Sequence, residues 1–103
     1  MKIIRKGETL DVSGVQHLGA ANASGFESAL CAALQDRPRQ IDIDLSETGF
    51  VDCGGVGALV AVRNCARRHN ARAMIRLLNP ARPAERLFKL TGMDALFTVE
   101  GSD

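Results

Sequence analysis

The tetrad Asp52-Cys53-Gly54-Gly55, with Gly57 two residues on, gathers more chemistry-capable residue types than any other stretch of the chain. A cysteine at the start of a helix can be held as a thiolate by the helix dipole, which would make Cys53 a nucleophile. A phosphatase or sulfurtransferase loop of that kind needs an arginine six residues on to clamp the oxyanion, and that position is Leu59. Neither His17 nor His69 has a sequence context that pairs it with Cys53 as a base. Glycines ahead of a helix also suggest bare amides cradling a phosphate. The dinucleotide spacing fails, because Val60 stands where the last glycine should follow Gly55 and Gly57, and the Walker lysine is absent. Asp44, Glu47 and Asp52 are candidate oxygen ligands for a divalent ion, but nothing in their spacing makes them converge. No catalytic residue, metal or cofactor is expected. Asp52 directly before a helix is a good N-cap, alone or together with a role in contacting a partner.

The elements that must position this tetrad follow from periodicity. Lys2–Lys6 and Thr9–Ser13 read as short strands joined by a Gly7-Glu8 turn, which suggests an antiparallel pair. From 20 to 35 the apolar positions Ala23, Phe26, Leu30, Ala33 and Leu34 step by three and four, the pattern of a helix. Ser24 and Glu27 have capping-box spacing inside it, and Pro38 fixes its end. Residues 41–45 alternate with period two, so Ile41, Ile43 and Leu45 form one face of a strand and Asp42 and Asp44 the other. A second helix is expected from about 54 to 69, a strand at 72–77, and a third helix from Pro80 or Pro83 to Gly92. The tail at 94–99 is short and apolar. The order from residue 41 is βαβα, which gives parallel strands in an α/β domain, with helices mainly on one face of the sheet.

Composition bounds the function classes. A chain of 103 residues, 46% hydrophobic and 24% charged, fits a single domain over 1–103 of ordinary globular character. No apolar run approaches the roughly 20 residues of a membrane span, and no apolar region follows the basic N-terminus as in a secretory signal. Direct membrane insertion is not expected, and a cytoplasmic location is. Three cysteines, Cys31, Cys53 and Cys65, form neither a disulfide framework nor a zinc motif. Four aromatics, all Phe, leave little to stack on bases, so nucleic acid is not an expected partner. The net charge of +1 hides an asymmetry: residues 63–89 carry Arg63, Arg67, Arg68, Arg72, Arg76, Arg82, Arg86 and Lys89 against Glu85 alone. Such a cluster is either an electrostatic footprint or a solvated face with cations favoured at helix C-termini.

The second helix holds more apolar residues than one face requires. A core stripe from Gly55 runs through Ala58, Leu59, Val62, Cys65 and Ala66. Val56 and Val60 lie on a neighbouring stripe that continues into Arg63, Asn64 and Arg67. Either they are exposed, forming a small apolar patch suited to docking, or one or both tuck against the preceding loop and Phe50.

The stretch from Ile41 through Asp52-Cys53-Gly54-Gly55 to Val60, followed by Ile75-Arg76-Leu77-Leu78-Asn79-Pro80 and by Leu87 to Phe97, resembles the STAS family. This is the fold of bacterial anti-sigma factor antagonists, and the resemblance covers essentially the whole chain. It implies a four- to five-stranded mixed sheet and a non-enzymatic regulator or adaptor that docks onto a protein partner. Members that switch partners by phosphorylation carry Asp-Ser-Ser-Gly at the start of this helix, with the second Ser as acceptor. The acceptor position here is Gly54, which has no hydroxyl, so the resemblance implies docking without that switch. A Gly54→Ser substitution would be expected to install it. A related branch, the STAS subunit that binds the ATPase of lipid-asymmetry ABC transporters, is similar in having a small residue and Gly-Gly after this Asp. The expected partner is an anti-sigma factor of the kinase-like type or a transporter ATPase. The expected contact residues are Asp52, Cys53, Gly54, Gly55, Val56, Gly57, Val60, Arg63 and Asn64.

Overall fold

A computed structural model of the protein describes residues 1–101. Its strands are β1 (Lys2–Lys6), β2 (Thr9–Ser13), β3 (His17–Leu18), β4 (Gln40–Asp44), β5 (Phe50–Val51), β6 (Met74–Leu78) and β7 (Thr98–Glu100). The helices are α1 (Ala23–Ala33), α2 (Cys53–His69) and α3 (Arg82–Leu90). The main sheet runs β1-β2-β4-β6-β7, antiparallel between β1 and β2 and parallel elsewhere.

The Gly7-Glu8 turn closes the β1–β2 hairpin, with Lys6 opposite Thr9. Gly7 has φ +59 at the first central position, the conformation a two-residue II′ turn requires there. The chain then crosses over three times, through α1, α2 and α3, and each crossover returns a strand parallel to the last. The parallel pair expected between 41–45 and 72–77 is β4 with β6, Ile41 opposite Ile75 and Ile43 opposite Leu77.

One face of the sheet supplies Leu10, Val12, Ile41, Ile43, Ile75 and Leu77 to the core, where they meet Phe26 and Leu30 of α1, Leu59 and Val62 of α2 and Phe88 of α3. Fully burying a side chain of this size contributes roughly 1.5–3 kcal/mol. The helix face of the sheet is therefore the expected one. On the other face the register aligns Asp11, Asp42, Arg76 and Thr98 in one row. Asp42 is on the face expected for it, yet only 8% exposed, because Arg76 lies over it. The guanidinium donates from Nε and Nη2 to the two carboxylate oxygens, both at 2.8 Å, and from Nη1 to Glu100 at 3.0 Å.

Two local expectations for the first helix need correction. Helix α1 begins at Ala23 and not at 20; its N-cap is Asn22, and Ser24 lies within the first turn without the capping hydrogen bond that its spacing to Glu27 suggests. The helix tightens into a 3₁₀ turn at Leu34–Asp36 and stops at Arg37, which is left-handed at φ +55, one residue before Pro38. The apolar tail holds a 3₁₀ turn at Met93–Ala95 and the short strand β7, which completes the five-stranded sheet. The parallel β3–β5 pair, His17 opposite Phe50 and Leu18 opposite Val51, is an element the periodicity does not announce. Among the described residues, no helix is long and apolar enough to cross a membrane.

Candidate functional site

The short pair β3–β5 places the tetrad. β5 leads through Asp52 into α2, while β3 leads through the small residues Gly19, Ala20 and Ala21 into α1. The two exits lie side by side. Asp52 is extended at φ −123 and caps α2, Oδ1 accepting the Gly55 N–H at 3.0 Å. The same carboxylate accepts the Ala20 N–H at 3.1 Å and 3.3 Å, so one side chain ties the β3–α1 loop to the start of α2. The Gly55 N–H above all, with those of Ala20 and Gly54, holds the Asp52 carboxyl below the usual carboxylate range, outweighing a modest loss of hydration.

This closeness explains two of the three glycines. A Cβ on Gly55 would fall on the Leu18 carbonyl, and one on Gly54 would stand 2.6 Å from the Ala20 Cα. The expectation that Gly54→Ser installs a phosphorylatable hydroxyl meets an obstacle here: the space for the side chain is filled by backbone. Gly57 is different. It is exposed in the interior of α2, and a Cβ there would meet nothing within 4 Å.

Burial redraws the helix surface. The core stripe Gly55, Ala58, Leu59, Val62, Cys65 and Ala66 is buried as expected. Val56 is also buried, at 9% exposure, which corrects the reading of it as part of an open patch. The first turn of α2 packs against both β3 and β5 as well as leading over the sheet, so the covered arc is wider there than along the rest of the helix. Val60 is half-buried and packs against the core. The open stripe is instead Cys53, Gly57, Asn64 and Arg68, with Val60 and Ala61 half-buried between them. Arg63 is half-buried, its Nε donating to the Leu96 carbonyl at 3.1 Å.

Among the described residues, the groups that the alternative chemistries need are not brought together. Cys53 is exposed, and His69 ends α2 about 24 Å away along a helix rising 1.5 Å per residue. His17 lines a groove of about 820 Å³ with Met1, Val15, Ala20, Gly25, Phe26, Phe50 and Asp52. Asp44 turns to the Ser46 N–H and hydroxyl and to Asn79, while Asp52 turns to Ala20 and Gly55. Among the described residues, no three His, Cys, Asp or Glu side chains are grouped to hold a metal ion. Cys31 and Cys65 meet where α1 packs on α2; burial first, then the neighbouring Cys65 thiol, pushes the Cys31 thiol up to about 12.

Sequence reasoning missed Leu18 and Ala20 as the residues that shape the site, although the run of small residues at 19–21 is a readable sign of close approach. It also missed the exposure of Phe50, which stands 53% open beside Asp52.

A family model described as "Mlab, STAS domain" matches residues 4–99. Solved structures share the fold. An anti-sigma factor antagonist from Thermotoga maritima superposes with a TM-score of 0.87 at 18% identity, over 98% of this chain and 86% of that one. An anti-sigma factor antagonist from Mycobacterium paratuberculosis gives 0.85 at 22% identity, over 98% and 84%. The Bacillus cell fate determinant SpoIIAA in its phosphorylated form gives 0.73 at 15% identity, over 99% and 91%. No curated protein matches the chain. The five-stranded mixed sheet with its helix face defines an α/β domain of the anti-sigma factor antagonist fold. The chain belongs to the STAS domain family.

Proposed function

We propose that this STAS domain is a non-enzymatic regulator or adaptor that docks onto a protein partner in the cytoplasm through the open stripe of α2, without a phosphorylation switch at residue 54. The observation that carries this reading is Gly57. A glycine inside a helix costs about 0.5–1 kcal/mol relative to alanine, and the fold would accept a methyl group there. A bare backbone on an exposed helix face is what a closely approaching partner needs. Gly57 is flanked by Cys53, Val60 and Asn64, with Phe50 and Asp52 at the upper end and Arg63 at the lower. The enclosure of Gly54 by Ala20 supports docking that is always available.

The partner is an anti-sigma factor of the kinase-like type or the ATPase of a lipid-transport ABC transporter. The description carried by the matching family model, together with Gly-Gly after Asp52 and Cys53, favours the second.

Immobilised protein and its Val60→Asp variant, each challenged with native lysate, test the reading by mass spectrometry of what is retained. A kinase-like protein or a transport ATPase captured by the parent and lost with the variant is the expected result. Equal capture by both removes the α2 stripe from the interface, and steady phosphoester hydrolysis abolished by Cys53→Ser makes the protein an enzyme.

A further inference from the structure

We propose that the outer face of α3, with Val51 of β5, is a second contact surface that receives an acidic amphipathic segment of a protein partner. One apolar side chain of that segment fills the groove and its carboxylates engage Arg82 and Arg86. This rests on the docking reading above and gives the partner a chemistry.

The face is concave: Val51, Pro83, Leu87 and Leu90 line a groove of about 370 Å³ whose rim carries Arg82 and Arg86. Leu90 is 80% exposed, more than any other large apolar side chain among the described residues. Folding gives no reason for either arginine. Arg82 is the first residue of α3, where the helix dipole favours an acid. Arg86 follows one turn later on the same side, so the two like charges oppose each other. Both are exposed, and among the described residues neither has an ion-pair partner. A cation set against the dipole, with a second like charge one turn away, is complemented by a partner that brings the opposite sign.

Val51 directly precedes Asp52, so the groove abuts the upper end of the α2 stripe and one partner can cover both. A bilayer surface is the competing occupant for leucine beside arginine, but a single open leucine and a concave seat suit an inserted side chain better than a flat interface.

The ¹⁵N-labelled chain is titrated with a synthetic helical peptide bearing one leucine flanked by glutamates at four-residue spacing, followed by NMR. Its Leu→Ala, Glu→Gln and Glu→Lys versions, and vesicles of phosphatidylglycerol and phosphatidylcholine, are run in parallel. The expected result is saturable shifts confined to Val51 and Arg82–Leu90. Affinity should fall about tenfold or more when either the leucine or the glutamates are replaced, and again in an Arg82→Glu/Arg86→Glu variant. The lysine peptide should bind that charge-reversed variant. Arg82→Glu places an acid where the dipole favours it, so the loss is one of binding and not of fold. Shifts elsewhere, equal binding of the glutamine peptide, or response to vesicles alone overturns the proposal. Val60→Asp should leave the peptide titration unchanged, so a failure at α3 and a failure of the α2 reading appear in separate measurements.

Discussion

The Cβ that Gly54 lacks would stand 2.6 Å from the Cα of Ala20 and 2.7 Å from its nitrogen. That nitrogen carries the N–H donated to Asp52, so the loop cannot withdraw without giving up the bond that ties it to α2. The position where the family resemblance sets a phosphoacceptor is closed by backbone.

Gly54→Ser should therefore destabilise the domain by about 1–3 kcal/mol, the cost of forcing extra atoms into a filled space. Thermal melts measure the loss, and intact mass after incubation with a cognate kinase should show no added phosphate. An unchanged melting temperature with stoichiometric phosphate on the introduced serine would mean that the β3–α1 loop yields.

Gly57→Ala should act in the opposite direction on folding, raising stability by about 0.5–1 kcal/mol. Urea unfolding reads this as a higher midpoint at constant slope. The same variant should retain less partner, since its methyl group stands where the partner's backbone would approach. A gain in stability with undiminished capture would separate Gly57 from docking.

Adjacent residues of α2 should respond differently to a charge. Val60 is half-buried, so Val60→Asp forfeits about 1 kcal/mol of apolar contact and leaves the domain folded. Leu59 is fully buried, and Leu59→Asp places an unpaired carboxylate in the core at a cost of several kcal/mol, enough to unfold a marginally stable domain. Comparable melting temperatures for the two would place Val60 in the core.

Acid should weaken the fold through Asp42 and Asp52. The Arg76 guanidinium holds the Asp42 carboxyl below its ordinary range, as the Gly55 N–H does for Asp52. A carboxyl whose folded pKa lies below its unfolded value contributes fully above the unfolded value and loses that contribution as pH falls through the folded one. Stability should be level near neutrality and decline below about pH 4. Asp42→Asn should lower the urea midpoint at pH 7, with the gap to the parent closing as pH falls toward 2. A gap independent of pH would assign the effect to shape and not to charge.

The period-two run at Ile41, Ile43 and Leu45 and the 3.6-residue stripe from Gly55 to Ala66 make β4, α2 and the helix face legible from sequence, because each is a long pattern facing one core. β3 and β5 are not legible: two residues each are too few to show any period, and they exist because their exits must converge on Asp52. Asp52 as a cap is readable from its place before a helix, but its second bond, to Ala20, joins positions 32 residues apart. Val56 misleads because helical periodicity assumes a single covered face, and the first turn of α2 has two. The burial of Asp42 is not legible either, because it depends on Arg76 being its cross-strand neighbour.

The outer strands bear on how the domain behaves in a crowded solution. An edge strand offers unpaired N–H and C=O groups on which another sheet can grow. β1 carries Lys2, Arg5 and Lys6, all exposed, and β7 at the opposite edge is only three residues long. Growth on β1 would force rows of cations together, and β7 is too short to template a stable extension. The sheet is thus guarded against fibrous aggregation at both margins, leaving the helix side free to carry apolar and arginine-rich surface for association.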